Sequence, residues 1–516
     1  MSTAPPALPT VQNLTKGPLH GPWPDTRLFR RRLPGPAGPA APGTILAIVA
    51  GVAVTALTLP LGVTGVGWLI TAVAWLAVLL TARPTAGPAF PPVPAAGAPR
   101  LGARLPWAAA TIGLLSVGTF RSAGWLFALC VGTATLTFAL AIGAGRSMRA
   151  VLTTYTLGPV AVLRAGPWLV RGLARVRRPR GAAPFRIAAT AAVSVLLLVV
   201  FGLLFASADA TFASVISAVL PEVSLDGVAR WIFLAGLSAP LLSGVAYMWI
   251  APPRLTDLDH TEGMRVGRLE AAVPLGLLTL LFAAFVAVQL TVLFGGDRHV
   301  RTTAGLTYAA YARGGFWQLC IVTGLTLLVL AGAARWAPRE APGDRAVFRA
   351  VLGSLTLLTL VIVASALFRM QVYIDTYGLT RLRLLVACCE GWFGVILLLV
   401  LLAGTRTRAP WLPRAAIAAG VLALIGLAAA NPDLMIARNQ MHRSPDRVDA
   451  GYLSGLSPDA VPALTGVDGP QRVCVLYRIR MTMPDDRWYE WNYGRAAARD
   501  IIGQLPPMAH DRCGAY

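Results

Sequence analysis

The stretch "AVLGSLTLLTLVIVASALFRMQVYIDTYGLTRLRLLVACCEGWFGVILLLVLLAG", Ala350 to Gly404, contains two long apolar runs separated by a short polar turn. Ala350 to Phe368 and Leu384 to Gly404 are each long enough to cross a bilayer, which takes roughly 17 to 25 residues of helix. Between them lie Arg369, Tyr373, Asp375, Tyr377, Arg381 and Arg383, and one acid, Glu390, falls inside the second run. This is the pattern of two helices that cross a membrane and meet at a polar mouth.

Working outward, the same reading repeats along the chain. Further spans are expected at Thr44 to Val63, Gly65 to Ala82, Leu105 to Phe120, Ser122 to Gly143, Ile187 to Phe205, Trp231 to Ala251, Ala271 to Phe294, Phe316 to Ala334 and Trp411 to Ala430. With the first pair, that makes about eleven spans. Composition agrees: 13% of the 516 residues are charged and mean hydropathy is +0.64, whereas a soluble domain carries roughly a quarter charged residues. The expected fold class is an all-α polytopic transmembrane helical bundle, with an interfacial helix and a small extracytoplasmic C-terminal tail.

Basic residues orient the bundle, because short cytoplasmic loops are enriched in Lys and Arg. With the N-terminus inside, 27 of the 45 basic residues fall in cytoplasmic segments and 8 in translocated loops. The rest lie after Ala430. This places the protein in the cell membrane with a cytoplasmic N-terminus and an extracytoplasmic C-terminus. The net charge of +22 punctuates hydrophobic spans, so it reads as topology and lipid contact and not as a nucleic-acid footprint.

Five regions follow. Residues 1–43 form a Pro- and Gly-rich cytoplasmic leader expected to be disordered, 44–82 a first transmembrane hairpin, 83–104 a Pro/Ala-rich linker, 105–430 the main bundle and 431–516 the extracytoplasmic tail. The Arg-rich loop 146–186 mixes apolar residues with arginine at helical spacing. It is expected to lie in the interface on anionic lipid headgroups, with Trp168 as a headgroup-level anchor.

Familiar chemistry is absent from the motifs. There is no phosphate-binding G-x-x-x-x-G-K-[ST] loop, no H-E-x-x-H and no G-x-S-x-G. The histidines are scattered over loops and both terminal regions, so neither a metal nor another cofactor is expected. Cys474 and Cys513 lie in the tail, where a disulfide could persist; the alternative is two free thiols.

Ionisable groups inside a membrane are costly and so point to function. The principal cluster is Arg369, Tyr373, Asp375, Tyr377, Arg381, Arg383 and Glu390; the secondary cluster is Gln289, Tyr308, Tyr311 and Arg313. Arg383 and Glu390 are seven apart and share a helix face, with Glu390 roughly 10 Å into its span. Two readings of Glu390 stand: a buried carboxylate paired with arginine or hydrogen-bonded across helices, and a proton or cation site. The arginines are expected to snorkel to the headgroups.

Four blocks in order carry a resemblance, and a fifth, nearer the N-terminus, extends it weakly. "VQLTVLFGG" (Val288 to Gly296), "LTYAAYARGGFWQL" (Leu306 to Leu319), "YIDTYGLTRLRLL" (Tyr373 to Leu385), "NPDLMIARNQMHRS…VDAGYLSGLSPDAVPAL" (Asn431 to Leu464) and, more weakly, "FASADATF" (Phe205 to Phe212) occur in order. Together they resemble the bacterial multi-pass membrane family filed as domain of unknown function 4173, with its relative 4153. The resemblance implies no particular activity. It marks Gly315-Phe316, Tyr377 to Thr380 with Arg381 and Arg383, Asn431-Pro432-Asp433 and Ala437-Arg438-Asn439 as recurring positions. Gly378 suits a tight turn and Thr380 a helix N-cap.

Three functional classes remain: a non-enzymatic membrane component acting with an unidentified membrane protein partner, a transporter or channel, and a membrane-embedded enzyme on lipid-linked substrate. The last would use Asp375 or Asp209 as base.

Overall fold

The computed structural model describes residues 32–84, 101–143, 148–176, 225–255, 267–304, 316–336, 342–404, 409–443, 449–465 and 470–504, with single helical positions at 194, 197, 201 and 205. Among these residues the protein is helical, and the one extended pairing is an isolated bridge between Ala40 and Pro84. The expected span Ile187 to Phe205 lies essentially outside the described residues.

Ten helices correspond to the other expected spans: α1 (Pro42–Thr58), α2 (Val66–Thr81), α3 (Leu101–Phe120), α4 (Gly124–Gly143), α6 (Leu225–Ile250), α7 (Arg268–Ala304), α8 (Phe316–Trp336), α9 (Pro342–Tyr377), α10 (Arg381–Gly404) and α11 (Leu412–Ala430). The remaining long helix, α5 (Met148–Val176), lies between α4 and α6 in the chain. Among the described residues, seven helical stretches are long and apolar enough to cross a membrane: Gly124–Gly143, Gly227–Ile250, Arg268–Leu290, Trp317–Trp336, Arg345–Tyr377, Arg381–Gly404 and Leu412–Ala430. α1 and α2 are apolar but shorter.

The helix ends gather at two faces. At one, a single buried arginine does the joining. Arg104, expected in a cytoplasmic linker, is the fourth residue of α3. It donates to the carbonyls of Trp249 (3.1 Å) and Ile142 (3.2 Å) and stacks 4.4 Å from the Trp249 ring. Both carbonyls belong to last turns, which lack intrahelical partners, so one guanidinium caps α6 and α4 together.

α5 runs along this same face. Thr154 lies against Gly143 near Leu255, and eighteen positions later Gly172 lies against the Ala40 carbonyl. Its inner side packs Leu157, Ala161, Ala165 and Trp168 into a core with α1, α2 and α6. Leu152, Tyr155, Leu163 and Val170 point outward. The expected anchoring role of Trp168 is corrected: its ring is buried edge-on to Tyr247, and its indole N–H donates to Gly38 (3.1 Å). A buried indole needs such a partner, and the chain before α1 provides it. Leu33 is fully buried, Arg164 holds its carbonyl at 2.8 Å, and the Arg254 N–H donates to Arg32. Part of the stretch expected to be disordered is thus ordered: Leu33 and residues 38–40 are buried.

At the other face, called the tail side here, lie the α1–α2, α3–α4 and α9–α10 turns and the end of α11. Seven short elements cover it: α12 (Pro432–Arg443), α13 (Ala450–Ser454), a 3-10 turn at Pro458–Ala460, α14 (Val461–Leu464), α15 (Pro470–Thr482), a second 3-10 turn at Trp488–Glu490 and α16 (Tyr493–Gly503). The last of them starts at Tyr493, because Asn492 caps it by accepting from the Arg495 N–H.

Candidate functional site

The turn between α9 and α10 is built from its sequence. Gly378 adopts φ +82°, a left-handed conformation that suits glycine, and its N–H closes α9 on Ile374. Thr380 accepts from the Arg383 N–H at 3.4 Å, as an N-cap does. The tail then grips the turn. Leu379 donates to Asn439 (2.7 Å) and accepts from Gln440 (2.9 Å), while the Arg381 N–H donates to the Tyr452 hydroxyl (3.0 Å).

The Arg381 side chain does not snorkel. Its Nε and Nη2 donate to the two oxygens of Asp433, at 3.0 and 2.6 Å. Asp433 is fully buried and also accepts from the Trp125 indole (3.2 Å) and the Ser457 N–H (2.8 Å). Burial opposes its charge, but Arg381 and Ser457 outweigh burial and hold its carboxyl below the usual carboxylate range. The blocks Tyr377–Arg381 and Asn431–Asp433 are thus mates across a helix junction.

Asn431 joins two helices. It closes α11 with φ 56° and its N–H on Ala428, and its side chain accepts from the Leu434 N–H to open α12. Arg121 adds donors to the Ala428 and Ala429 carbonyls at 2.6 and 3.1 Å. Asp459, from the Ser-Pro-Asp turn, accepts from the Ser122 and Ala123 N–H groups at 2.8 and 3.1 Å, so the tail holds the turn that leads into α4. Its other oxygen is buried without a hydrogen bond, and burial pushes its carboxyl upward.

A third joint lies under α16. Buried Arg495 donates to the Thr64 carbonyl (2.7 Å) and hydroxyl (3.0 Å), the Glu490 carbonyl and Asp486. Asn492 donates to Gly118 (2.8 Å). Sequence reasoning missed Asp433, Asp459, Arg121, Asp486 and Arg495 as structural residues. Only Asn431-Pro432, an N-cap followed by proline at the first helical position, carried a local signal.

The expected principal cluster is divided among several jobs. Arg383 lies 4.2 Å from the Tyr373 ring and 5.9 Å from that of Tyr377, and donates to the Gly378 carbonyl. Tyr373 and Tyr377 meet edge-on at 5.0 Å. Arg369 of α9 donates to Gln289 of α7, bringing one member of each expected cluster together. Asp375 is exposed and accepts from Gln371 (3.0 Å). Tyr308, Tyr311 and Arg313 lie outside the described residues.

Glu390 stands apart from Arg383. It is fully buried, accepts from the Thr323 hydroxyl of α8 (2.9 Å), and has its second oxygen without a hydrogen bond. The hydrogen bond across helices is present; no arginine pairs with it among the described residues. Nor do those residues hold three metal-ligating side chains in one place. Cys474 is disulfide-bonded; Cys513 lies outside the described residues, and Cys130, Cys320, Cys388 and Cys389 are free.

Fold and joints together define a multi-helical membrane protein whose C-terminal segment is built into the ends of its spans. The family model for domain of unknown function 4153 (DUF4153) matches residues 109–466, and the chain belongs to that family. The match is to the relative, 4153; 4173 is not what matches. No curated protein and no solved structure matched the chain.

Proposed function

We propose that this protein is a non-enzymatic membrane component of the cell envelope or of a signalling assembly, whose tail forms a rigid platform for a membrane protein partner. The carrying observation is that Arg369, Arg381 and Arg383, the cations best placed to hold a substrate phosphate, are committed to Gln289, Asp433 and the Gly378 carbonyl. A mouth whose cations brace the fold is a joint before it is a reaction centre.

In this reading the chain crosses the cell membrane eleven times, with the N-terminus cytoplasmic, the tail outside and α5 on anionic headgroups. Two contacts support the count. α5 rests on the face opposite the tail, whereas Arg230, near the start of α6, donates to Leu59 on the tail side at 3.0 Å. The Gly172 end of α5 and the start of α6 therefore lie on opposite faces. Kinship to family 4173 and a Cys474–Cys513 disulfide belong to the same proposal.

The test is crosslinking in native membranes followed by purification in mild detergent. The wild-type chain should bring down a stoichiometric partner, and Arg381→Ala should lose it with the tail's protease resistance. A wild-type chain that stays alone would sink the platform reading.

Transport is the second reading, favoured by the unpaired oxygen of Glu390 in the middle of helix packing. Solute flux in proteoliposomes, lost in Glu390→Gln and kept in Asp375→Asn, would replace the first reading with this one.

A further inference from the structure

We propose that Trp488, Trp491 and Tyr493 form a lipid-binding edge of the tail, seated in the headgroup layer of the leaflet on the tail side. This goes beyond the platform reading and rests only on the helices being in a membrane.

The segment that carries these rings is fastened level with the helix ends. The Val66 N–H, at the start of α2, donates to the Trp491 carbonyl at 2.9 Å. Gly65 approaches the Glu490 backbone so closely that an added Cβ would stand 2.7 Å from the Glu490 Cα. Asn492 holds Gly118 at the end of α3, and Arg230 of α6 lies 4.7 Å from the Tyr489 ring while it holds the Leu59 carbonyl. Contacts to α2, α3 and α6 at once fix the depth of the segment.

Within that run the side chains sort by direction. Tyr489 is 5% exposed and Asn492 is fully buried, both turned into the bundle. Trp488, Trp491 and Tyr493 are turned out, at 65%, 43% and 54% exposure. Arg230 ties the segment to Leu59, and on the two elements it joins, Leu57 of α1, Leu61 of the α1–α2 turn and Ile232 and Phe233 of α6 are exposed apolar residues. The aromatic edge is therefore the end of the lipid-facing band.

Its chemistry matches that place. Indole and phenol rings have an apolar body and one polar group, and they concentrate at the headgroup level of membranes. Arg487, also exposed, donates to the Tyr489 hydroxyl at 3.0 Å and places a positive charge next to them. In water, three large rings so close together would make an apolar patch of the kind that marks an interaction site. The continuity with the helices' outer surface selects lipid over a second protein as the occupant.

The experiment uses the full chain in phosphatidylcholine vesicles, comparing wild type with Trp488→Phe/Trp491→Phe, which keeps aromatic bulk. The fluorescence lost by substitution is the signal of these two of the 14 tryptophans. It should be quenched several-fold more by phosphatidylcholine brominated near the glycerol end of the acyl chain than by aqueous iodide. Quenching by iodide alone would overturn the proposal by placing the edge in water. Quenching by neither, with a crosslinked dimer lost in the variant, would overturn it in favour of a second copy.

Discussion

Asp433 and Glu390 are both carboxylates with no exposed surface, yet their surroundings are opposite. Asp433 sits on the tail side with four donors, two of them from one guanidinium. Glu390 sits inside helix packing beside the Thr323 hydroxyl and the Cys320 thiol, with one oxygen in no hydrogen bond. Buried polar groups are normally satisfied, so Asp433 reads as a finished joint and Glu390 as an unfinished one. The sequence clustered Glu390 with Arg381; the structure sends Arg381 to Asp433.

The sharpest way to break this contrast is Arg381→Ala. It strands a buried carboxylate, which in a fully buried pair costs about 3–5 kcal/mol; with Arg381 34% exposed, the expected loss is nearer 2–4 kcal/mol. Thermal melting in detergent should fall, and limited proteolysis should clip the tail. Arg381→Met/Asp433→Leu should recover only part of the loss, since it removes the stranded charge but leaves the Trp125 indole and the Ser457 N–H without their acceptor. If Arg381→Ala melts like wild type, the joint is ornamental.

Arg104→Ala tests the opposite face. Two last-turn carbonyls lose their donor in a buried place, for an expected cost of about 1–3 kcal/mol. The loss should appear as looser packing of α4 and α6 by hydrogen exchange, with the tail untouched. Loss of tail protection in this variant would show that the two faces are not separate.

Acidity separates the tail's own carboxylates. Asp433 has a lowered folded value, so its stabilisation is complete above the ordinary Asp value of about 3.9 and disappears as pH falls through the lower folded value. Asp459 has a raised folded value, so folding favours its protonated form and stability rises as pH drops from its folded value toward the ordinary one. Tail protection should therefore increase slightly as pH falls from the raised folded value of Asp459 toward the ordinary Asp value of about 3.9. Asp459→Asn should abolish that increase; if the increase persists, another group is responsible.

Glu390→Gln should be the mildest, below about 1 kcal/mol, because the amide oxygen keeps the Thr323 hydrogen bond and no ion pair is broken. A large loss of melting temperature would mean that Glu390 is a joint after all.

Much of the helix map was legible along the chain because crossing a membrane demands a run of apolar residues. Ala350 to Phe368 and Leu384 to Gly404 read directly as parts of α9 and α10. The turn between them was legible too, since Gly378 and Thr380 act on neighbouring backbone. The roles of the charged residues were not. Arg381 reads as a snorkelling cation until Asp433, 52 positions away, comes into contact. Arg104 reads as a loop charge until two distant helix ends converge on it, and Trp168 as a lipid anchor until residues 33–41 fold over it.

The sequence alone determined that lipid is the solvent of this protein, where its long helices lie and which short motifs turn or cap them. These properties add up from neighbouring residues, through hydropathy and local backbone preference. Only the tertiary structure decided that the tail is built into the bundle, that three arginines at the mouth brace the fold, and that Glu390 lacks a charged partner among the described residues. Those depend on which donors and acceptors meet across tens to hundreds of residues, and no local sum contains that information.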